Sequence, residues 1–273
     1  MAKSTFTRRA VELDTGDEPV PGILQLPHAD APAPGVVLLH GFSSRKERIA
    51  DSIGRALAKR GVASLAIDLP LHGTREGNIE NLSLRNPMAL VAKWRLAVRE
   101  AHDALQYMAE HPAIDPRRIA LAGYSLGAYL SVIVAGDDPL VRAVALAAGG
   151  DLPSETPFAS LVRTIADPRR AARRLMGRPL FMINGRYDRT IRPEQARVLF
   201  EAAEEPKELH WYNGGHWPPP DAIEQVAVWL ATQLASRPSD RDETHDAPVH
   251  SSPRARRRKA GRTPRQTRSG PSS

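Results

Sequence analysis

Along the first 235 residues, short runs of consecutive apolar residues alternate with stretches in which apolar residues recur every three or four positions. The short runs Gly35–Leu39, Val62–Ile67, Arg118–Ala122, Val141–Ala147 and Leu180–Ile183 predict buried strands. Glu208–Tyr212 predicts another strand, and Ser4–Leu13 with Pro21–Leu26 predict two edge strands around a turn at Asp14–Pro19. Helical spacing appears at Ile49, Ile53, Leu57 and Ala58, and again in Ala128–Ala135, Glu194–Ala203 and Ile223–Leu234. The longest helix is expected over Pro87–Glu110. Leu90, Trp94, Val98, Ala101, Leu105 and Met108 share one face there, with Lys93, Arg99 and Asp103 outside. Strands alternating with helices predict an α/β domain whose mostly parallel sheet is covered on both faces. Ligands of such a sheet bind beyond the carboxyl ends of the strands.

After Ser236 the pattern stops. Ser, Pro, Arg and Thr dominate residues 236–273, with almost no large apolar residue, so burial cannot offset the entropy of ordering and the segment is expected to be a disordered basic tail. The whole chain has a formal charge of +7, and the ten Arg/Lys and four acids after Ser236 account for +6 of it. The domain before the tail is nearly neutral, which argues against a nucleic-acid-binding domain. Within 254–268, the run Arg254–Lys259 is either a weak polyanion-binding segment or a solubilising one. There is no cysteine, which excludes disulfides and thiolate metal sites. Met1–Val20 lacks the apolar core of a signal peptide, and no apolar run approaches the ~20 residues of a membrane helix. A soluble cytoplasmic protein is expected.

The candidate chemistry centres on Gly123-Tyr124-Ser125-Leu126-Gly127. This G-x-S-x-G sits between a predicted strand and a predicted helix, the context of a nucleophile elbow, where the glycines let two backbones approach and the turn lifts Ser125 above the sheet. A serine hydroxyl needs a base. Of nine histidines, His216 alone lies in the loop between the last strand and the last helix, within Asn213-Gly214-Gly215-His216-Trp217. The acid should follow a strand between nucleophile and base. Asp188, five residues past Ile183, fits best, and Asp151 after the preceding strand is the competitor. Asp68 and His72 are expected to brace loops, and Lys46 with Glu47 to form a structural pair. Between Asp151 and Arg178 lies an insertion with an Arg-rich helical piece, Pro168–Met176. Its Phe158, Leu161, Val162 and Ile165 could face a pocket, with Arg169, Arg170, Arg173 and Arg174 toward solvent. No clustered His/Asp set suggests a metal, and no cofactor is called for.

Taken together, His40-Gly41-Phe42 followed by Ser43-Ser44-Arg45-Lys46-Glu47, Asp68-x-Pro-x-His72-Gly73, the Ser125 motif, Asn184-Gly185-x-x-Asp188 and Gly215-His216 resemble the α/β-hydrolase superfamily over nearly all of residues 1–235. Within it they look most like dienelactone-hydrolase-like and prolyl-oligopeptidase-like serine carboxylesterases. The resemblance implies an eight-stranded sheet with an antiparallel second strand, a short lid at about 151–178, and a Ser125–Asp188–His216 triad. It also implies an oxyanion hole of backbone N–H groups mapping to Phe42 and Leu126. Dienelactone hydrolases proper use a cysteine nucleophile where this chain has serine, so their substrate is not carried over. The expected activity is hydrolysis of small carboxylic esters through an acyl-enzyme. The alternatives are a prolyl-oligopeptidase-like peptidase, for which no propeller-sized domain is present, and a non-catalytic scaffold that binds a partner through its tail.

Overall fold

The computed structural model describes residues 5–16, 18–77, 87–152 and 163–235. Eight strands form one sheet in the order β1-β2-β4-β3-β5-β6-β7-β8. They are β1 (Phe6–Leu13), β2 (Val20–Pro27), β3 (Ala33–Leu39), β4 (Ala63–Ile67), β5 (Ile114–Tyr124), β6 (Val141–Ala147), β7 (Leu180–Gly185) and β8 (Lys207–Tyr212). β2 runs antiparallel to both β1 and β4, and all other neighbours from β4 to β8 are parallel. The sheet is therefore the mostly parallel one expected, with its antiparallel second strand.

Successive side chains of a strand point to opposite faces, and the central strands are apolar on both. In β3, Val37 and Leu39 enter one core while Val36 and Leu38 enter the other. In β7, Leu180 and Met182 face the first core and Phe181 and Ile183 the second. Each fully buried Val or Leu contributes about 1.5–3 kcal/mol. The first core is closed by α3 (Pro87–Glu110), α4 (Leu126–Asp137), α5 (Pro168–Arg173) and α6 (Pro193–Ala202). The second is closed by α7 (Pro220–Ala235) and by a segment made of α1 (Lys46–Ile49), a π-helical turn Ala50–Gly54, and α2 (Arg55–Ala58).

Several details depart from the periodicity. The strand predicted at Arg118–Ala122 is the middle of the longer β5. The helix read from Ile49 to Ala58 is broken by the π-helical turn because the buried Gln25 of β2 reaches into it. With its amide turned to satisfy both ends, the nitrogen lies 3.2 Å from the Ala50 carbonyl and 3.3 Å from that of Gly54. On α3, Asp103 is half-buried instead of outside, and Glu100 is fully buried. Glu100 takes a two-pronged bond from Arg75 at 2.5 and 2.9 Å, and Arg75 also reaches Glu18 at 3.1 Å.

In the segment after β6, Phe158, Leu161 and Val162 lie outside the described residues, as does the tail after Ala235. The Arg-rich helix ends at Arg173, three residues earlier than expected, and buries Ala171 and Ala172. Asp167 caps its start by accepting from the Arg169 and Arg170 amides. Arg170 and Arg173 do face solvent. Arg174 is exposed as well and pairs at the surface with Asp137 at 2.9 Å, while the half-buried Arg169 lies 3.7 Å from Asp151.

Candidate functional site

At the carboxyl edge of the sheet, β5 ends on Tyr124 and the chain turns through Ser125 directly into α4. Ser125 has φ 52° and ψ −112°, a conformation that a residue with a side chain adopts only under constraint. Gly123 and Gly127 make room for the turn that holds it. A Cβ on Gly123 would lie 2.1 Å from the Gly127 carbonyl oxygen, and one on Gly127 would lie 2.0 Å from that of Leu39. Only bare backbone fits where the start of α4 crosses the end of β3. The Ser125 amide donates to the Ala147 carbonyl at 2.9 Å, which ties the turn to β6.

His216 lies in the loop after β8, and its Nε2 is 2.9 Å from Ser125 Oγ. On its other side, Nδ1 is 2.8 Å from Asp188 Oδ2. Asp188 follows β7, and its Oδ1 accepts from the amides of Thr190 at 2.8 Å and Ile191 at 2.9 Å. Burial works to raise the Asp188 pKa, but the bond from His216 and the amides of Ile191 and Thr190 outweigh it and hold the carboxyl below the usual carboxylate range. An ionised Asp188 only accepts, so Nδ1 carries the imidazole proton and Nε2 presents its lone pair to the serine hydroxyl. Ser125, His216 and Asp188 thus form one hydrogen-bonded chain.

Asp151, the other acid weighed from the sequence, belongs to a separate network. Arg163 donates to its Oδ1 and Oδ2, each at 2.9 Å, and Gln195 donates to its carbonyl at 3.1 Å. Phe42 lies in a tight turn in which Ser44 donates to the Gly41 carbonyl at 3.2 Å and Ser43 has φ 51°. Leu126 is the first residue of α4, whose N-terminal amides carry partial positive charge.

The loop-bracing residues behave as their chemistry suggests. Asp68 is fully buried and accepts from the Lys46 amide at 2.8 Å, Lys46 Nζ at 2.7 Å and the Thr74 amide at 3.1 Å. Lys46 Nζ also meets Glu47 at 3.1 Å. Burial disfavours the Asp68 anion, yet these bonds hold its pKa below the usual range. Buried His40 accepts the Leu69 amide on Nε2 at 3.1 Å, so its Nδ1 proton goes to the Gly41 carbonyl at 2.8 Å. His72 donates from Nδ1 to the Pro70 carbonyl at 2.8 Å and packs edge-on to His40 and Phe42.

Two residues escaped the sequence reading. The hydroxyls of Tyr124 and Tyr212 both donate to the His216 carbonyl, each at 3.3 Å. Burial pushes both phenols above their ordinary pKa, which keeps them donors through the neutral range. The available signal was a hydroxyl-bearing aromatic at the carboxyl end of two strands, β5 and β8. Tyr124 also stacks on Trp217 at 5.0 Å, and the Arg48 guanidinium lies 4.2 Å from the Trp217 ring centre. Among the described residues, no group of His, Asp and Glu could hold a metal ion, and no helix is long and apolar enough to cross a membrane.

Residues 36–266 match the profile of the Alpha/beta hydrolase family. Polyketide transferase ATR5 of Stachybotrys chlorohalonatus is 34% identical over 111 residues, covering 41% of this chain and 34% of that protein. Esterase FrsA of Escherichia coli is 28% identical over 144 residues, covering 51% of this chain and 31% of that protein. The chain thus spans about a third of the length of these curated relatives. Among solved structures, TT1662 of Thermus thermophilus superposes with a TM-score of 0.73 at 23% identity, over 86% of this chain and 100% of that one. A cold-adapted esterase from an Arctic intertidal metagenomic library superposes with a TM-score of 0.65 at 21% identity, over 86% and 97%. These likenesses are of fold. The profile match, by contrast, runs through the Ser125 turn and the loops of Asp188 and His216 in one alignment, and on that ground the chain belongs to the Alpha/beta hydrolase family.

Proposed function

We propose that the chain is a serine-dependent hydrolase of carboxylic esters that works through an acyl-enzyme. The observation that carries this reading is the hydrogen-bonded chain from Ser125 Oγ through His216 to Asp188, at 2.9 and 2.8 Å. His216 Nε2 takes the Ser125 proton as Oγ attacks the ester carbonyl carbon, and the carbonyl oxygen becomes an oxyanion. The amides of Phe42 and Leu126 receive that charge, and each such donor is worth about 10²–10³ in rate. The tetrahedral adduct collapses, the C–O bond to the alcohol breaks, and His216 returns the proton to the departing oxygen. Water then attacks the acyl-enzyme with His216 again as base, releasing the acid and restoring Ser125. Asp188 holds the imidazole tautomer and offsets the imidazolium charge without taking the proton. Tyr124 and Tyr212 act as positioning residues by fixing the His216 backbone.

A second reading is supported by the likeness to a polyketide transferase over 111 residues. The same acyl-enzyme can be resolved by an alcohol or amine acceptor in place of water. A panel of p-nitrophenyl esters, Pro-p-nitroanilide peptides and an added alcohol acceptor separates these readings. Ester turnover with silent anilides and free acid as product is expected. Acylated acceptor as the main product would favour transfer, and turnover of the anilides would favour a peptidase. Silence of the folded protein across the whole panel would favour a scaffold.

A further inference from the structure

A cavity of about 260 Å³ is bordered by Tyr124 and Trp217, the chain neighbours of Ser125 and His216. Gly41 and Tyr124 form its inner wall, with Ile53, Ile223, Trp217 and Pro218 around it. Gly41 is close to the serine, since a Cβ placed on it would lie 3.4 Å from Ser125 Cβ. Three polar residues of the wall are already bonded within the protein. His40 uses both ring nitrogens, Tyr124 donates to the His216 carbonyl, and Ser52 Oγ donates to the Arg48 carbonyl at 2.8 Å. Arg48, at the wall, lies against the Trp217 ring. What the cavity offers an occupant is therefore mainly aliphatic and aromatic surface, with Ser44 and Arg48 as its remaining polar groups.

Resting on the reading of Ser125 and His216 given above, we infer that this cavity receives the alcohol portion of the ester and selects compact apolar alcohols, benzyl or short branched alkyl. The side of the site follows from proton traffic. His216 Nε2 gives its proton to the departing oxygen, so the group on that oxygen lies on the His216 side. Trp217 and Pro218 follow His216 directly in the chain. The size follows from volume. A dry apolar cavity of about 150 Å³ takes benzene, so about 260 Å³ has room for one ring with its methylene and a short substituent. Each methylene that moves from water into such a pocket adds about fourfold to kcat/KM until the space is full.

The test uses the full chain and acetate esters of methyl, butyl, benzyl and 2-naphthylmethyl alcohols, with methyl benzoate to probe the acyl side. In the wild type, benzyl acetate should exceed methyl acetate in kcat/KM by about tenfold or more. Ile223→Trp, which fills the cavity, should bring that ratio close to one, and Ile223→Ala, which enlarges it, should raise naphthylmethyl relative to benzyl acetate. A ratio that is the same in the wild type and both variants overturns the inference, as does selectivity that follows the acyl group. In either case ester hydrolysis itself would survive. Failure to hydrolyse any ester, together with no covalent labelling of Ser125, overturns both this inference and the reading beneath it.

Discussion

Arg163 grips Asp151 through both carboxylate oxygens at 2.9 Å, while His216 Nδ1 is bonded to Asp188 at 2.8 Å. The two acids that follow neighbouring strands therefore have separate partners. Asp188→Asn should lower kcat/KM by about 10³–10⁴, because an amide at that position favours the wrong imidazole tautomer. Asp151→Asn should stay within about tenfold of wild type in kcat/KM while costing about 1–3 kcal/mol of stability through the partner it leaves unsatisfied. Steady-state kinetics and denaturant melts of both variants check this, and the reverse order of kinetic losses would move the acid to Asp151.

His40 gives the fold an acid limb. Burial is the main cause that lowers its pKa from 6.5 to about 4, so the folded state keeps it neutral where the unfolded chain is protonated. Between those two values the unfolded state binds the extra proton, and stability therefore rises with pH. The contribution is fully present above 6.5 and is lost as pH falls toward 4, a change of about 3 kcal/mol. His40→Gln should be less stable at neutral pH, having lost the fit to Leu69 and Gly41, and should show a shallower loss between pH 6.5 and 4. Unfolding midpoints at several pH values decide it. Equal slopes for the two proteins would show that His40 is not the group responsible.

The glycines offer a matched contrast. A Cβ on Gly127 would meet backbone oxygen at 2.0 Å, whereas one on Gly61, at φ 73°, would meet nothing within 4 Å. Gly127→Ala should cost about 3 kcal/mol or more by forcing α4 away from β3, and should also lose esterase activity. Gly61→Ala should cost only about 1–2 kcal/mol, from the left-handed backbone alone. Urea midpoints of the two variants measure the difference, and similar losses would mean that the elbow can relax.

Much of this architecture can be read from the chain because the strands are short and apolar on both faces, as Val36–Leu39 and Leu180–Ile183 show. Ser125, Asp188 and His216 were legible from their places after β5, β7 and β8, and the structure brings the three together. What stayed hidden depends on pairing across long separations. Glu100 of α3 is buried on Arg75, 25 residues away, and the helical period alone does not pair the two. The π-helical turn depends on Gln25, a polar residue within β2 whose partners lie on another element. Likewise the hold of Arg163 on Asp151 pairs two polar side chains that no apolar pattern announces.

The tail can be tested by removal. A chain ending at Ala235 should keep the kcat and KM of the full protein toward a small neutral ester, because Ser125, Asp188, His216 and α7 all precede Ser236. Remote positive charge acts weakly on a neutral substrate where the Debye length is ~8 Å. The full chain, with its Arg254–Lys259 run, should be held by a polyanion resin at low salt and released at moderate salt as counterions compete. Loss of kcat on truncation would show that the tail contributes to the site. Equal retention of the two chains would place the anion site before Ser236.

The most direct test of the central claim is intact-mass and peptide mass spectrometry of the folded protein after reaction with a fluorophosphonate. A single adduct on the peptide bearing Ser125 is expected in the wild type, with none in Ser125→Ala and slower formation in His216→Ala. Labelling of Ser125→Ala at the wild-type level, or a folded wild type that takes no label, would contradict the account.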